Sequence, residues 1–524
     1  MKKYLITIFI TLAIAGSSCK KGYLDLTNNP NVPSVASPNL LLSGALKTTA
    51  GIVNSPDYVQ YAAWTGYLSQ STGFQPFVDL EQYQFTNSNY QGIWIDNYLN
   101  LSNYNALIQS NAGPYYTAIA EIMEAYDYEA LVDNYNNVPF STALKGASDL
   151  NPTYDSGASI YLALMKQLDA AIVLINGASA GAANPAGADI MFGGTMSNWV
   201  LFANTLKLRL CIRESTIGGA DFATLTAAVQ ATETLGYLTD ATGALVNPGY
   251  INSDADGGQQ SPLWLNYGTT QSGAEQTDKS EYQANSFAAN FYATNNDPRL
   301  IEVYSNSLTT GAATATNITA GAALNVQNGV AIVSTTFGIA QPPLGVVGGS
   351  GGQVPLIPSL VGPGLLVSPT ESAVVMSSAE SLFLQAEGTA RGILKHEGSA
   401  QSLYNAGIAA SFEFDQVPNA DAAAAALYNG GAYAYPSDAS LNQQITAIIT
   451  QKWAALNVFG ALEAFNEERR TGIPNVPTSV YQGANAPNQV TRIFYPFVEE
   501  QTNEANYAAQ GTINKFTSKI FWAQ

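Results

Sequence analysis

The fold class is decided by the stretch Asn198-Trp-Val-Leu-Phe-Ala-Asn-Thr-Leu-Lys-Leu-Arg-Leu-Cys-Ile-Arg213. Its large apolar side chains recur every three or four residues, which is the spacing of one face of an α-helix. They are Trp199, Phe202, Leu206 and Leu210. Polar residues such as Lys207 and Arg209 lie between them, and Ser197 stands where an N-cap is expected. The stretch therefore predicts a core-building helix with one apolar face and polar remaining faces.

Similar helical patterns occur on both sides of this stretch. The predicted helices are 38–53, 92–109, one opened by Pro114 that ends near Asn134, one begun by Asp155 and Ser156, and then Val374–Leu394, Ser399–Phe414, Leu441–Leu456 and Phe459–Arg470. Ser399 and Ser440 suit the N-caps of two later helices. We expect the last four helices to form two antiparallel hairpins. Helix pairs that cannot bury their apolar stripes alone indicate a solenoid-like stack.

Composition predicts one large, loop-rich unit, 37–524, rather than a set of separate domains. No long Pro/Ser linker or charge run divides the 524 residues of the chain. The segment 237–368 is rich in Gly, Pro, Asn and Thr, which favours an irregular surface excursion with short strands. Charged residues make up 11% of the chain and the net charge is −19, so composition argues against nucleic acid as a partner.

The N-terminus has the pattern of a bacterial lipoprotein. Residues 1–18 combine the positive Lys2 and Lys3 with an apolar run that is shorter than the ~20 residues of a membrane span. Cys19 directly follows small residues, at the position where such proteins receive a lipid. We therefore expect a signal peptide over 1–18, a lipidated Cys19 and a polar tether over 19–36. Ordinary secretion with an incidental cysteine is the alternative.

The inventory of reactive side chains predicts no catalytic triad, zinc site or cofactor. His396 is the single histidine and stands at a solvated helix end, while Cys211 is most simply a small buried side chain. The cluster of Glu463, Glu467 and Arg470 favours a structural ion-pair network. A glycosidase-like carboxylate pair stays open, because sequence spacing does not give the distance between two carboxyl groups.

Aromatic residues crowd the polar stretch 64–94 and also occur in the irregular segment after Pro262. An aromatic ring covers the apolar C–H surface of a sugar or peptide, while neighbouring amides and hydroxyls bond its polar edge. We expect a ligand platform here, and core packing is the alternative for each ring. The candidate ligand-binding residues are Trp64, Tyr67, Phe74, Tyr83, Trp94, Trp264 and Tyr267.

Several blocks of sequence, in this order, resemble a known family. The blocks are Cys19-Lys-Lys-Gly-Tyr-Leu-Asp-Leu, Tyr126–Phe140, Pro152-Thr-Tyr-Asp, Trp199–Arg213, Asn296-Asp-Pro-Arg-Leu300, Ala379–Glu387, Gln451-Lys-Trp and Arg469-Arg-Thr-Gly-Ile-Pro474. Together they resemble the SusD/RagB-like outer-membrane lipoproteins of Bacteroidetes, and among them the SusD-like group described as starch-binding and outer-membrane associating. The resemblance covers nearly the whole chain after Cys19.

The resemblance implies an all-α fold of tetratricopeptide-like helix hairpins with a loop-rich ligand face. It implies a non-enzymatic protein, lipid-anchored in the outer membrane and facing the cell surface, that captures an oligosaccharide or peptide. The implied partner is a SusC-like TonB-dependent transporter, which receives the captured nutrient. A lipid-anchored glycan hydrolase with a carboxylate pair is the alternative function.

Overall fold

The computed structural model describes residues 36–70, 77–239, 243–306, 359–396, 398–479, 486 and 488–524. The helices in these ranges are α1 (Pro38–Val53), α2 (Val59–Trp64), α3 (Val78–Glu81), α4 (Gly92–Gln109), α5 (Pro114–Tyr135), α6 (Gly157–Asn176), α7 (Met196–Glu214), α8 (Gly219–Thr232), α9 (Pro262–Tyr267), α10 (Thr277–Glu281), α11 (Ser286–Thr294), α12 (Arg299–Val303), α13 (Ser378–Ala390), α14 (Ala400–Phe414), α15 (Ala420–Tyr428), α16 (Leu441–Ala455), α17 (Ala461–Thr471), α18 (Phe497–Thr502) and α19 (Glu504–Ala508). The strands are β1 (Leu68–Gln70), β2 (Val138–Pro139), β3 (Tyr154–Asp155), β4 (Ala244–Val246), β5 (Tyr282–Ala284), β6 (Tyr304–Asn306), β7 (Ser359–Val361) and β8 (Ala373–Met376). The predicted helical class with a few short strands is confirmed.

Some predicted features lie outside the described residues. They are the signal peptide, almost all of the tether with Cys19, the candidate ligand residue Phe74, and the part of the predicted excursion at 307–358.

Helix α7 begins at Met196 and ends at Glu214, which confirms the helix predicted over 198–213. Its N-cap is Thr195; the prediction of Ser197 was wrong because the helix begins before that residue. The predicted apolar face is buried. The polar residues between those apolar positions are buried as well, namely Asn204, Lys207, Arg209 and Arg213. The polar faces of α7 therefore contact other parts of the protein rather than water.

The helices stack largely in chain order. Helix α4 packs on α5, α5 on α6, α6 on α7 and α7 on α8. In the C-terminal half α13 packs on α14, and α13 also packs on α7, so α7 joins the two halves. The predicted stack of helix pairs is confirmed. The hairpin predicted from 441–456 and 459–470 was wrong in its main contacts, because α16 packs chiefly on α13 and α17 chiefly on α2.

Local capping signals place several helix ends where the sequence predicts them. The Oγ of Ser156 accepts the N–H of Ser159 at 3.3 Å at the start of α6. Ser399 caps α14, and Ser440 forms a capping box at the start of α16. Pro114 is the first residue of α5, where a missing N–H has no cost. These ends follow from short-range chemistry alone.

One predicted helix, Val374–Leu394, starts too early. Its first residues form β8, which pairs antiparallel with β4 and sets Val374 opposite Leu245. Helix α13 begins only after Ser377, whose Oγ accepts the N–H of Glu380 at 3.1 Å. The β-branched Val374 and Val375 favour a strand once a partner strand is present. The small-residue helices α8 and α15 were not predicted.

The main hydrophobic core contains side chains from Leu42 to Trp522, and a second cluster lies among α13, α14, α15 and α16. Aromatic residues of the C-terminal segment pack on the main core, with Tyr495 and Trp522 buried. Within the described residues, α6 is the one helix long and apolar enough to cross a membrane. Its inward face, including Leu164 and Leu168, is buried, and α5 and α7 pack against it. We therefore interpret α6 as a core helix.

Candidate ligand-binding groove

A polar groove with a volume of about 460 Å³ lies between the C-terminal end of α1 and the segment 248–266. Lys47, Asn54 and Ser55 line it on one side, and the loop before α9 together with α9 lines the other. Its lining groups are amides, hydroxyls and short apolar side chains. Lys47 is the single charged residue among the described residues that line it. This polar groove is therefore suited to an uncharged polar ligand.

A chain of amide hydrogen bonds fixes the wall at the end of α1. Asn54 is the C-cap of the helix, and its Nδ2 donates to the carbonyl oxygen of Ala50 at 2.8 Å. The Nδ2 of Asn266 in α9 donates to the carbonyl oxygen of Asn54 at 2.7 Å. Because Asn54 and Asn266 both line the polar groove, this bond holds its two walls together.

A turn before α9 shapes the opposite wall. The Oδ1 of Asn247 accepts the N–H groups of Gly249 at 2.9 Å and Tyr250 at 3.0 Å. Gly249 has a φ of +92°, which a residue with a Cβ rarely adopts. Further along, the Nε2 of Gln260 donates to the carbonyl oxygen of Thr269 at 3.0 Å. These bonds hold polar side chains at the groove on a backbone with little regular secondary structure.

Trp264 belongs to α9, the helix whose Pro262, Leu265 and Asn266 line the polar groove. Its Nε1 donates to the carbonyl oxygen of Thr269 at 2.9 Å. A Cβ added to Gly268 would lie 2.6 Å from three atoms of the indole, so one part of the ring packs directly on that glycine. Trp264 as a whole is half-buried. Trp264 therefore offers an anchored aromatic surface next to the groove.

Tyr250 brings an unused hydroxyl to the polar groove. Its side chain is 7% exposed, and its hydroxyl has no hydrogen-bond partner within the described residues. Burial raises the pKa of Tyr250 to about 12, so the hydroxyl stays protonated near neutral pH. A buried hydroxyl without a partner costs about 1–3 kcal/mol. A ligand acceptor that reached this hydroxyl would recover that cost.

Most of the predicted ligand-binding aromatics are core residues instead. They are Trp64, Tyr67, Tyr83, Trp94 and Tyr267, each no more than 4% exposed. Tyr67, for example, stacks on Trp453 and donates its hydroxyl to the carbonyl oxygen of Trp453 at 2.6 Å. Side chains so buried present no ring face to a ligand, so this burial contradicts a direct contact. Trp264 stays a candidate.

Arg209 and Arg213 of α7 belong to an ion-pair network that joins four other helices. The Nη2 of Arg209 lies 2.6 Å from Glu129 Oε2 on α5, and its Nη1 lies 3.1 Å from Glu380 Oε1 on α13. Arg213 Nη2 lies 2.5 Å from Glu463 Oε1 on α17. Lys452 of α16 lies 2.7 Å from Glu467 of α17. The structural ion-pair network predicted around Glu463 and Glu467 is confirmed.

The pKa values of these carboxyl groups depend on how many cationic side chains surround each of them. Burial alone would raise the pKa of Glu463, but Arg213, Arg209 and Lys452 hold it at about 2. Burial raises the pKa of Glu129 to about 7, opposed by Arg209. Carboxyl groups with separated pKa values are what acid–base catalysis requires. The geometry around them therefore decides whether catalysis is possible.

A cavity of about 70 Å³ lies beside Glu129, Glu380 and Glu463. One water needs roughly 10–15 Å³ and ligand pockets usually have about 300–1,000 Å³, so this cavity has room for a few waters only. Each of these carboxyl groups is also held by an arginine. The arrangement is that of a structural network, not of a cleft that admits a glycosidic bond.

No group of three or more His, Cys, Asp and Glu side chains is placed to hold a metal ion in the part of the chain that the structure describes. His396 is exposed in a bend beyond α13, and its backbone N–H donates to Glu233 Oε1 at 2.6 Å. Cys211 is fully buried, as predicted, and burial raises the pKa of its thiol to about 12. Its thiol is therefore unreactive near neutral pH.

The sequence matches the family model of SusD-like proteins, described as starch-binding associating with outer membrane, over residues 30–496. The chain belongs to the SusD-like family. The family resemblance inferred from the sequence blocks is thereby confirmed. A comparison with curated proteins gave no match.

Solved structures of SusD homologues share the fold of this SusD-like protein. A chitin-binding SusD homologue from Flavobacterium johnsoniae has 21% identity and a TM-score of 0.68, over 92% of this chain and 98% of its own. A SusD homologue from Bacteroides fragilis has 21% identity and a TM-score of 0.69, over 93% of this chain and 99% of its own. A SusD/RagB family protein from Bacteroides thetaiotaomicron has 17% identity and a TM-score of 0.71, over 93% of this chain and 99% of its own.

Sequence reasoning missed most residues of the polar groove in this SusD-like protein. Those that carry polar groups are Lys47, Asn54, Ser55, Tyr250, Gln259, Gln260 and Asn266. The signal that was available is the run Pro248-Gly-Tyr250 followed by the adjacent Gln259 and Gln260, since loops carry binding residues more often than regular elements do. The wall at Asn54 gave no such signal in the sequence, because Asn54 is the C-cap of an ordinary helix.

Proposed function

We propose that this SusD-like protein captures an oligosaccharide at the outer membrane and delivers it to a TonB-dependent, SusC-like transporter. The observation that carries the proposal is the amide-lined polar groove with the half-buried Trp264 on the same short helix. Family membership supports nutrient binding as the general role. The groove and Trp264 are the parts of this chain that we assign to ligand contact.

The chemistry of the polar groove favours a neutral glycan. Sugar hydroxyls pair with amide and hydroxyl side chains, and Asn266, Gln259 and Tyr250 supply such groups. The indole of Trp264 suits the apolar C–H face of a pyranose ring. The volume of about 460 Å³ lies within the usual range of about 300–1,000 Å³ for small-ligand pockets. A neutral peptide is the second ligand class, since it offers similar donors and acceptors.

Malto-oligosaccharides and chito-oligosaccharides are the first ligands to try. The family is described as starch-binding, and the F. johnsoniae homologue is described as chitin-binding. We assign the anchor to a lipid on Cys19 and the orientation to the cell surface, where a captured glycan can pass to the transporter. Recovery of a transporter barrel with the protein from detergent-solubilised membranes tests the partnership; a consistently free monomer contradicts it.

We expect Trp264→Ala to weaken glycan binding by about 1–3 kcal/mol, because removal of an aromatic contact to a ligand commonly costs that much. Isothermal titration of the purified protein measures the loss. Phe497→Ala is the matched control, since Phe497 is 41% exposed and belongs to a helix that contributes no residue to the polar groove. Equal affinities for the two variants would exclude Trp264 from the site.

A further inference from the structure

A second cleft, separate from the ion-pair network, lies where the start of α9 meets β8 and the turn before it. Its volume is about 250 Å³. Its walls are mostly apolar, and they include Leu263, Leu365, Val374, Phe414 and Phe459. The rings of Phe414 and Phe459 pack with their centroids 4.7 Å apart. We call this site the apolar cleft.

Two polar atoms in the apolar cleft have no partner. Ser261 is 1% exposed, and its Oγ makes no hydrogen bond within the described residues even though Ser261 is the N-cap of α9. Glu371 likewise has an Oε1 without a partner, while its Oε2 accepts the N–H of Val367 at 3.1 Å. A buried polar group left in this state costs about 1–3 kcal/mol. A bound donor at this cleft could satisfy both oxygen atoms.

The backbone holds these two residues at the same cleft. The N–H of Ser261 donates to the carbonyl oxygen of Pro369 at 2.7 Å, and Pro369 belongs to the turn that carries Glu371. Both Ser261 and Glu371 line the apolar cleft. The apolar cleft therefore combines apolar walls with two oxygen atoms that can accept hydrogen bonds. This is the general composition of small-molecule sites.

The charge of the apolar cleft selects among ligands. Glu371 is the one ionisable residue among the described residues that line it, and no lysine, arginine or histidine is present there to neutralise it. Burial raises the pKa of Glu371 to about 7, opposed by backbone N–H groups of Val367 and Ser368. A cation beside the carboxyl group would favour its ionised form. The net charge of −19 also raises the local concentration of cations over anions.

We propose that the apolar cleft binds a small organic ammonium ion, with its apolar body against Leu263 and Phe459 and its ammonium group donating to Glu371 Oε1 and Ser261 Oγ. The three N–H donors of a primary ammonium suit an ionised carboxylate, which only accepts hydrogen bonds, and a serine hydroxyl, whose oxygen can also accept one. This site is distinct from the proposed glycan function and does not depend on it.

Hexylammonium is the probe, with 1-hexanol as the neutral analogue and hexanoate as the anionic one. We expect the wild-type protein to bind hexylammonium roughly tenfold or more tightly than hexanol, and to bind hexanoate more weakly still, because hydrogen bonds to charged groups have about twice the strength of neutral ones. Isothermal titration or ligand-observed NMR measures the three affinities. Equal binding of the three probes, or no binding of hexylammonium, would overturn the proposal.

Variants locate the site. Glu371→Gln is expected to lower the affinity for hexylammonium roughly tenfold and to leave that for hexanol nearly unchanged. Ser261→Ala is expected to give a smaller loss. Glu413→Gln is the matched control, because Glu413 is exposed and adjacent in sequence to Phe414 but does not line the apolar cleft. An equal loss in Glu413→Gln, or no loss in Glu371→Gln, would contradict the assignment. The probe selectivity of the wild-type protein still decides if a variant fails to fold.

Discussion

Replacing Arg213 with methionine is expected to lower the free energy of unfolding by about 3–5 kcal/mol, because the change removes the salt-bridge partner of buried Asp133 and one of the counter-charges of Glu463 and Glu467. Arg213 is fully buried and lies 3.3 Å from Asp133, 2.5 Å from Glu463 and 3.2 Å from Glu467. It also packs over the ring of Trp522. Unfolding in urea, followed by tryptophan fluorescence, measures the loss.

Lys279→Met is the matched control for Arg213→Met. Lys279 pairs with Glu275 at 3.6 Å on the surface, with side chains 23% and 57% exposed, and such pairs contribute about 0–1 kcal/mol. Arg213→Lys retains the charge but cannot reproduce the bidentate contacts, so we expect an intermediate loss. The ion-pair network is not a main stabilising feature if Arg213→Met unfolds at the same urea concentration as Lys279→Met.

Replacing Cys19 with alanine is expected to move the protein from the outer-membrane fraction to the soluble fraction. Each buried CH₂ of an acyl chain contributes about 0.8 kcal/mol of membrane affinity, and stable anchoring takes more than one chain. Loss of the attachment residue therefore removes nearly all of the anchoring free energy. Fractionation of cells that express the variant, with mass spectrometry of the N-terminal peptide of the wild type, measures both points.

Cys211→Ala is the control for Cys19→Ala, since Cys211 is buried in α7 and is not available to a lipid. We expect this second variant to stay with the outer membrane. If the Cys19 variant still fractionates with the membrane, the anchor lies elsewhere in the chain.

The sequence predicted those parts of the fold that short-range chemistry determines. Helix starts at Pro38, Ser156, Ser399 and Ser440 were correct because a proline or a capping hydroxyl acts within one turn. Apolar periodicity also located α4, α5 and α7. These signals depend only on residues close in sequence, so they can be recognised without knowledge of the fold.

Partners distant in sequence could not be predicted in the same way. The polar residues of α7 look solvent-facing in the sequence, yet Arg209 meets Glu129 and Glu380 on two other helices. Val374 looks helical until β4 supplies a strand partner. The spacing of apolar residues shows that one face of a helix is polar. It does not show whether water or an oppositely charged side chain contacts that face.

One segment that lines the candidate groove could be predicted from the sequence, but most of the groove's residues could not. Residues of the 237–368 segment do line the polar groove, and Trp264 is half-buried on α9. Trp64, however, packs against Tyr61, Phe85 and Phe465 in the core. Aromatic rings in a loop and aromatic rings in a core have the same local sequence neighbours, and only the packing of distant segments separates them.

Binding and turnover of glycans by one purified sample test the central claim most directly. Wild-type protein is titrated calorimetrically with maltohexaose and chitohexaose, and each mixture is then analysed for shorter products by mass spectrometry. We expect saturable binding of a glycan that is weakened in Trp264→Ala, with the glycan recovered intact. Shorter products that disappear in Glu380→Gln or Glu463→Gln, or glycan affinity that Trp264→Ala leaves unchanged, would contradict a capture protein that uses the polar groove.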